Sequence, residues 1–304
     1  LLTSVGYDLT FATALVAVSG SLGIIIPPSI PYIMYCNASG ASISELFLAG
    51  FLPGVLIALC LMVYSYIYCK IHGEDKDKLN AKCMELRAKG LGTVLKEGFW
   101  ALMSPVIILG GIYGGICSPT EAATISIFYS LIVSLFIYRT IKIRDLPKIM
   151  LEGIHSYAPI LIILSAAVAF ARVITLMNVA TIVSEAVLSA ISSKVVILLL
   201  INVLLLFVGM IMDTGPAILV FTPVLLPVAE AIGVDPIHFG IIMCVNLAIG
   251  FVTPPMGANL FVASNISKVS VFDIARKAVP FILAFLIALL LITFVPQISM
   301  FLLQ

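Results

Sequence analysis

Apolar stretches long enough to cross a hydrocarbon core recur from one end of this 304-residue chain to the other. A bilayer crossing needs about 20 apolar residues as a helix, because every backbone N–H and C=O must be paired inside the segment. Spans read at 11–34, 46–69, 99–117, 119–138, 157–178, 195–230 as a pair, 238–263 and 278–303. With 62% of residues apolar and 10% charged, the chain has too little polar surface to face water on all sides. The fold class is therefore an all-α polytopic membrane protein.

The net charge of +1 gives no reason to expect a nucleic-acid partner, but the positions of the charges carry topology. Eleven of the 16 Lys and Arg fall in Lys70–Lys96 and Arg139–Lys148, and the positive-inside rule places both segments in the cytoplasm. The two spans between them then go out and come back, turning at CSPTEAAT. Lys268, Arg276 and Lys277 form a third basic connection on the same side, which puts the C-terminus outside. Six scattered cysteines and three histidines show no ligand-like spacing, and the histidines read as lying in or near loops. No HExxH, GxGD or GxSxG motif occurs, so an intramembrane hydrolase is disfavoured and the chain reads as no enzyme.

Two spans interrupt themselves. GIIIPPSI at 23–30 and GFVTPPMG at 250–257 each carry a glycine four residues ahead of a proline pair, 227 positions apart and in spans of opposite direction. Paired broken helices of opposite orientation are the trace of an inverted repeat, and such breaks mark binding sites in secondary transporters. A helical proline cannot donate to the carbonyl four residues back, so the pairs release the carbonyls of Gly23, Ile24, Gly250 and Phe251. Unpaired carbonyls in hydrocarbon cost several kcal/mol unless they line a cavity or bind something, and a hard cation such as Na+ prefers oxygen ligands. Ser19, Ser21, Asn246 and Thr253 stand near the breaks. A proline kink satisfied by neighbouring helices is the competing reading.

Between 204 and 227 the sequence LLFVGMIMDTGPAILVFTPVLLP places Asp213 between two short apolar arms. A re-entrant hairpin with its tip in the membrane fits, and an acidic residue there is a functional candidate by default. A surface turn with Asp213 as an N-cap is the alternative. Ser118-Pro119-Thr120-Glu121 reads as a capping box, GGIYGG at 110–115 as a site of close helix approach, and 179–194 as an interfacial helix. Arg172 is the one basic residue well inside a span, read first as packing or snorkelling.

The stretches GYDLTFATALVAVSGSLGIIIPPSIPYIMY, GGIYGGICSPTEAATISIFYSLIVSLFIYR, GMIMDTGPAILVFTPVLLP and GFVTPPMGANLFVAS together resemble the large membrane subunit of tripartite ATP-independent periplasmic (TRAP) transporters. The resemblance covers nearly the whole chain. It implies an elevator-type secondary transporter of the bacterial inner membrane, with inverted repeats and re-entrant hairpins, taking up a carboxylate such as sialic acid or a C4-dicarboxylate with Na+. It also implies a periplasmic substrate-binding protein, a small four-helix membrane subunit and surrounding membrane lipid as partners.

On this reading 1–69 is the end of a first repeat (broken helix 11–34 plus span 46–69), 70–98 a basic cytoplasmic connection and 99–304 the second repeat. About 130 residues of the first repeat, including its hairpin, are then expected to precede residue 1. The Na+ candidates are Ser19, Gly23, Pro27, Asp213, Thr214, Asn246, Gly250 and Thr253. The substrate candidates are Ser29, Asp213, Thr214, Gly257, Asn259 and Arg172. A stand-alone dicarboxylate carrier or ion antiporter of related architecture is the alternative within transport.

Overall fold

A computed structural model of the chain describes residues 2–72, 78–81, 83–84 and 90–303. The basic connection expected over 70–98 lies partly outside them, at 73–77, 82 and 85–89. The described residues are mostly helical, without a strand, and seven helices among them are long and apolar enough to span a membrane. They form two compact units, one of Leu1–Lys78 with Ala166–Gln304, the other of Leu79–Ser165.

In the second unit α4 (Leu91–Tyr113) and α5 (Pro119–Ile132) form a hairpin. The Tyr129 and Tyr138 hydroxyls donate to the carbonyls of Trp100 and Glu97, at 2.8 and 2.6 Å. The expected capping box is formed: the Ser118 hydroxyl accepts from Glu121 N–H, and the Glu121 carboxylate accepts from Ser118 N–H at 2.7 Å. In GGIYGG the close approaches are within the turn itself: a Cβ on Gly111 would stand 2.6 Å from Cys117 Sγ and one on Gly114 2.8 Å from the Gly110 carbonyl, while Gly110 meets nothing within 4 Å and Gly115 takes a left-handed φ of +65°. Both helices are exposed almost all round, the state of helices whose solvent is lipid.

Helix α6 (Leu146–Leu176) is longer than its apolar span, as are α4 and α12 (Val271–Phe294). Hydropathy sees only the part in hydrocarbon, whereas the hydrogen-bonded helix continues through polar turns carrying Lys96, Arg276 and Lys277.

The first unit is built on the two interrupted spans. One consists of α1 (Leu9–Gly20), a 3-10 turn over Ser21–Ile24, a break, and α2 (Ile30–Ser39). The other consists of α10 (Pro236–Gly250), a break over 251–257, and α11 (Ala258–Ser267). The twin pattern extends beyond the prolines. Asp8 and Asp235, 227 positions apart, are the N-caps of α1 and α10, accepting from Phe11 N–H at 2.9 Å and from Ile237 N–H at 2.7 Å. Pro53 and Pro280, again 227 apart, lie inside α3 (Ile43–His72) and α12, the helices that follow each break.

The two broken helices cross in opposite directions. Tyr35, near the end of α2, donates its hydroxyl to the carbonyl of Pro236, the first residue of α10, at 2.6 Å. Asn259, at the start of α11, donates to the carbonyl of Ala17, near the end of α1, at 3.1 Å. Leu9 and Thr13 share a groove with Ile266 and Ser267 at the far end of α11. Sequence number falls on one helix as it rises on the other. Around this cross pack α3 and α12, joined by the edge-to-face pair Tyr64 and Phe281 with centroids 4.5 Å apart, and Phe11 of α1 stacks on Tyr68 of α3 at 3.7 Å. Since lipid is as apolar as these side chains, close packing rather than escape from water holds the helices together.

The unit also holds α7 (Val179–Ala190), α8 (Lys194–Ile211) and α9 (Thr214–Ala231). Helices α8 and α9 are a hairpin of two 18-residue arms turning at Met212–Asp213. Helix α8 runs parallel to α10: Lys194 reaches the Gly233 carbonyl at one end, Asn202 meets Asn246 farther along, and Gly209 meets Gly250 at the other. The short terminal helix α13 (Gln297–Met300) packs on α3 and α10.

Candidate functional site

Helix ends gather where the broken helices cross. The hairpin turn joins them, because Met256 N–H in the second break donates to the Met210 carbonyl at 3.2 Å. The Gly209 backbone occupies the space a side chain on Gly250 would need. Asp213 and Thr214 therefore stand beside the second break, not at the far end of α11. Asp213 is exposed and caps α9, its carboxylate accepting from Thr214 N–H at 2.7 Å, while Thr214 is buried.

Of the four carbonyls released by the prolines, three have local donors. Ile24 C=O accepts from the Ser29 hydroxyl at 2.5 Å, Gly250 C=O from Thr253 N–H at 3.1 Å, and Phe251 C=O from Asn259 N–H at 3.0 Å. Each break curls enough for donors a few residues on to reach back, so those carbonyls keep one free lone pair each rather than two. Among the described residues the Gly23 carbonyl has no donor. In both breaks the bond joining the proline pair is cis.

The other candidates distribute as follows. Pro27 and Ser29 are buried, whereas Ser19 and Gly23 lie on an exposed face of the first broken helix. The Thr253 hydroxyl donates to Ile249 C=O at 2.7 Å. Gly257 begins α11 with φ +29° and Leu260 against it. Asn259 bridges both breaks, reaching the Ala17 carbonyl and, at 3.3 Å, the Ser21 hydroxyl. Arg172 is exposed on α6, with no hydrogen bond or ion pair to either break or to the hairpin turn among the described residues.

Asn246 is fully buried beneath the second break. Its Nδ2 donates to Asn202 Oδ1 at 2.7 Å and to Ile242 C=O at 2.8 Å. Asn202 Nδ2 donates onward to the Thr293 hydroxyl at 3.1 Å, and that hydroxyl donates to Leu289 C=O at 2.8 Å. His238, read as lying in or near a loop, stands in the first turn of α10 and is 2% exposed, with Nδ1 2.6 Å from the Ser299 hydroxyl. The Asp235 cap starts the helix three residues earlier and carries the imidazole inside. Sequence reading missed Asn202, Thr293 and Ser299; a lone asparagine in VVILLLINVLLLF is the signal that was available.

Tyr32 is fully buried and its hydroxyl has no hydrogen-bond partner among the described residues. A buried, unpaired hydroxyl costs about 1–3 kcal/mol, so Tyr32→Phe is expected to raise stability by about 1 kcal/mol. A higher thermal midpoint for the variant checks this; a lower one contradicts it.

Together these features define a polytopic membrane protein with two helices broken at their crossing and a hairpin docked on one break. The chain belongs to the DctM component family of tripartite ATP-independent periplasmic transporters, whose family model matches residues 1–298. It is 44% identical over 299 residues to the isethionate TRAP transporter permease protein DctMQ of Oleidesulfovibrio alaskensis, covering 97% of this chain and 46% of that protein. It is 38% identical to the C4-dicarboxylate TRAP transporter large permease protein DctM of Pseudomonas aeruginosa, covering 97% of this chain and 68% of that one. It is 35% identical to the sialic acid TRAP transporter large permease protein SiaM of Vibrio cholerae, with the same two shares. The chain thus spans under half of the first relative and about two thirds of the other two. Family and spans together make it a multi-pass protein of the bacterial inner membrane.

Proposed function

We propose that the chain is part of the carrier of a Na+-coupled uptake system for a small organic anion, working by an elevator-type movement with the α8–α9 hairpin re-entrant. The single observation behind this reading is the meeting of helix ends at the crossing. The carbonyl ends of the first broken helix's leading half, of α10 and of α8 lie near the N–H ends of α2, α11 and α9. Carbonyl ends favour a cation and N–H ends an anion, so one location suits both Na+ and substrate without a buried base.

Na+ is the coupling cation, taken by the open Gly23 carbonyl in the first break and by Gly250, Thr253 and the Asp213–Thr214 turn in the second. Ser29, Thr214, Gly257 and Asn259 face the anion. The substrate is a small carboxylate or sulfonate on this reading, which is supported by relatives named for isethionate, C4-dicarboxylate and sialic acid transport. A periplasmic binding protein delivers it, and a small four-helix membrane subunit braces the carrier in surrounding lipid.

The test is uptake into proteoliposomes holding the complete permease, with its binding protein supplied outside. An inward Na+ gradient is expected to drive accumulation that an equal K+ gradient does not. Equal rates would end the coupling claim.

A further inference from the structure

The buried amide row has a direction. The Ile242 carbonyl only accepts, so it fixes the Asn246 amide with Nδ2 toward it and toward Asn202. Thr293 spends its hydroxyl proton on Leu289 and so offers Asn202 only a lone pair, which turns Asn202 Nδ2 toward Thr293 and Oδ1 toward Asn246. Each donor points the same way, from α10 through α8 to α12. Between the exposed Lys194–Gly233 hydrogen bond at one end and the Gly209–Gly250 approach at the other, the rest of the α8–α10 contact is apolar, and apolar helix faces fit one another nearly as well when displaced by one turn, about 5.4 Å. A buried asparagine pair between parallel helices is the best-attested device for forbidding such displacement, because any other register breaks the amide hydrogen bonds, whereas in this one Asn246 Oδ1 alone in the row stays without a partner among the described residues.

We infer that Asn202 and Asn246 form a register lock, oriented by Thr293, that sets how far the α8–α9 hairpin reaches along α10 and therefore where Asp213 and Thr214 stand against the second break. These are positioning residues: they act on the site through the hairpin. The lock does not depend on the transport reading, but its consequence for uptake rests on that reading.

The test is disulfide cross-linking in membranes, using the full chain with its six native cysteines replaced by alanine. Met210→Cys with Met256→Cys reports the native register, since the backbones of these residues are hydrogen-bonded. Leu206→Cys with Met256→Cys reports a hairpin advanced by one turn. With Asn202 and Asn246 intact, the first pair cross-links and the second hardly does. With both replaced by leucine, the ratio of the two is expected to fall about tenfold while the protein stays folded, because losing both partners together leaves no orphaned amide. Thr293→Val, which frees the Asn202 amide to rotate, is expected to shift the ratio in the same direction but less.

An unchanged ratio in the double leucine variant overturns the lock, and so does failure of that variant to fold, which would make the pair a requirement of folding rather than of register. Native uptake that proved indifferent to Na+ would sink the proposed coupling and leave the cross-linking result standing.

Discussion

Gly250→Ala is expected to detach the hairpin from the second break and to suppress uptake by roughly a hundredfold. A single methyl there would overlap the backbone of Gly209, which has no side chain to rotate away. Overpacking of this kind costs about 1–3 kcal/mol, and the upper end corresponds to roughly a hundredfold fewer docked hairpins. Substrate uptake by the complete permease, normalised to the amount in the membrane, is the measurement.

Gly23→Ala supplies the comparison. Its position is the counterpart of Gly250, yet among the described residues a Cβ would meet nothing within 4 Å, and stability is expected to be unaffected. If the twofold logic holds for the complete permease, a second hairpin covers that face and Gly23→Ala lowers uptake about as much. Native uptake in Gly23→Ala would leave only the second break with a hairpin.

Gly50→Val is expected to cost about 3 kcal/mol of stability, the largest folding effect of any substitution considered. Gly50 lies on α3 where that helix crosses the first break. A Cβ would stand 2.6 Å from the Tyr32 ring, 2.9 Å from its hydroxyl and 3.1 Å from the Ile25 carbonyl. Tyr32 is wholly buried and cannot swing aside, and the carbonyl belongs to the backbone of the break itself. The decisive reading is a thermal melt in lipid nanodiscs; a native midpoint would mean that α3 can retreat without loss. Because the clash distorts the break, uptake should fall even at temperatures where the variant remains folded.

Elements whose cause is local were legible in the sequence. The proline pairs stop their helices by removing donors, the Ser118–Glu121 box starts α5 with its own side chains, and Asp213 caps α9 where the hairpin turns at Met212–Asp213. What the sequence hid depends on partners far away in the chain. That Ser29 and Asn259 turn back on the carbonyls the prolines release could not be read from donor counting, because the curl of each break decides which donors reach. Asn202 looked like an isolated polar residue in a strongly apolar helix until Asn246, 44 positions away, and Thr293, 91 positions away, came to meet it. Asp8 and Asp235 illustrate the middle case: each is a visible cap signal, but their kinship emerges only when both helices are seen to start the same way.

Helices α4 and α5 pack on each other, with the Tyr129 hydroxyl of α5 bonded to the Trp100 carbonyl of α4, and the rest of their surface is exposed and largely apolar. If acyl chains cover those walls, dissolving the membrane is a denaturing act for these helices in a sense that does not apply to the crossed helices, whose large side chains are enclosed by their own neighbours. Lipid thickness and composition should therefore govern how long purified material keeps α4 and α5 paired, well before either break is disturbed.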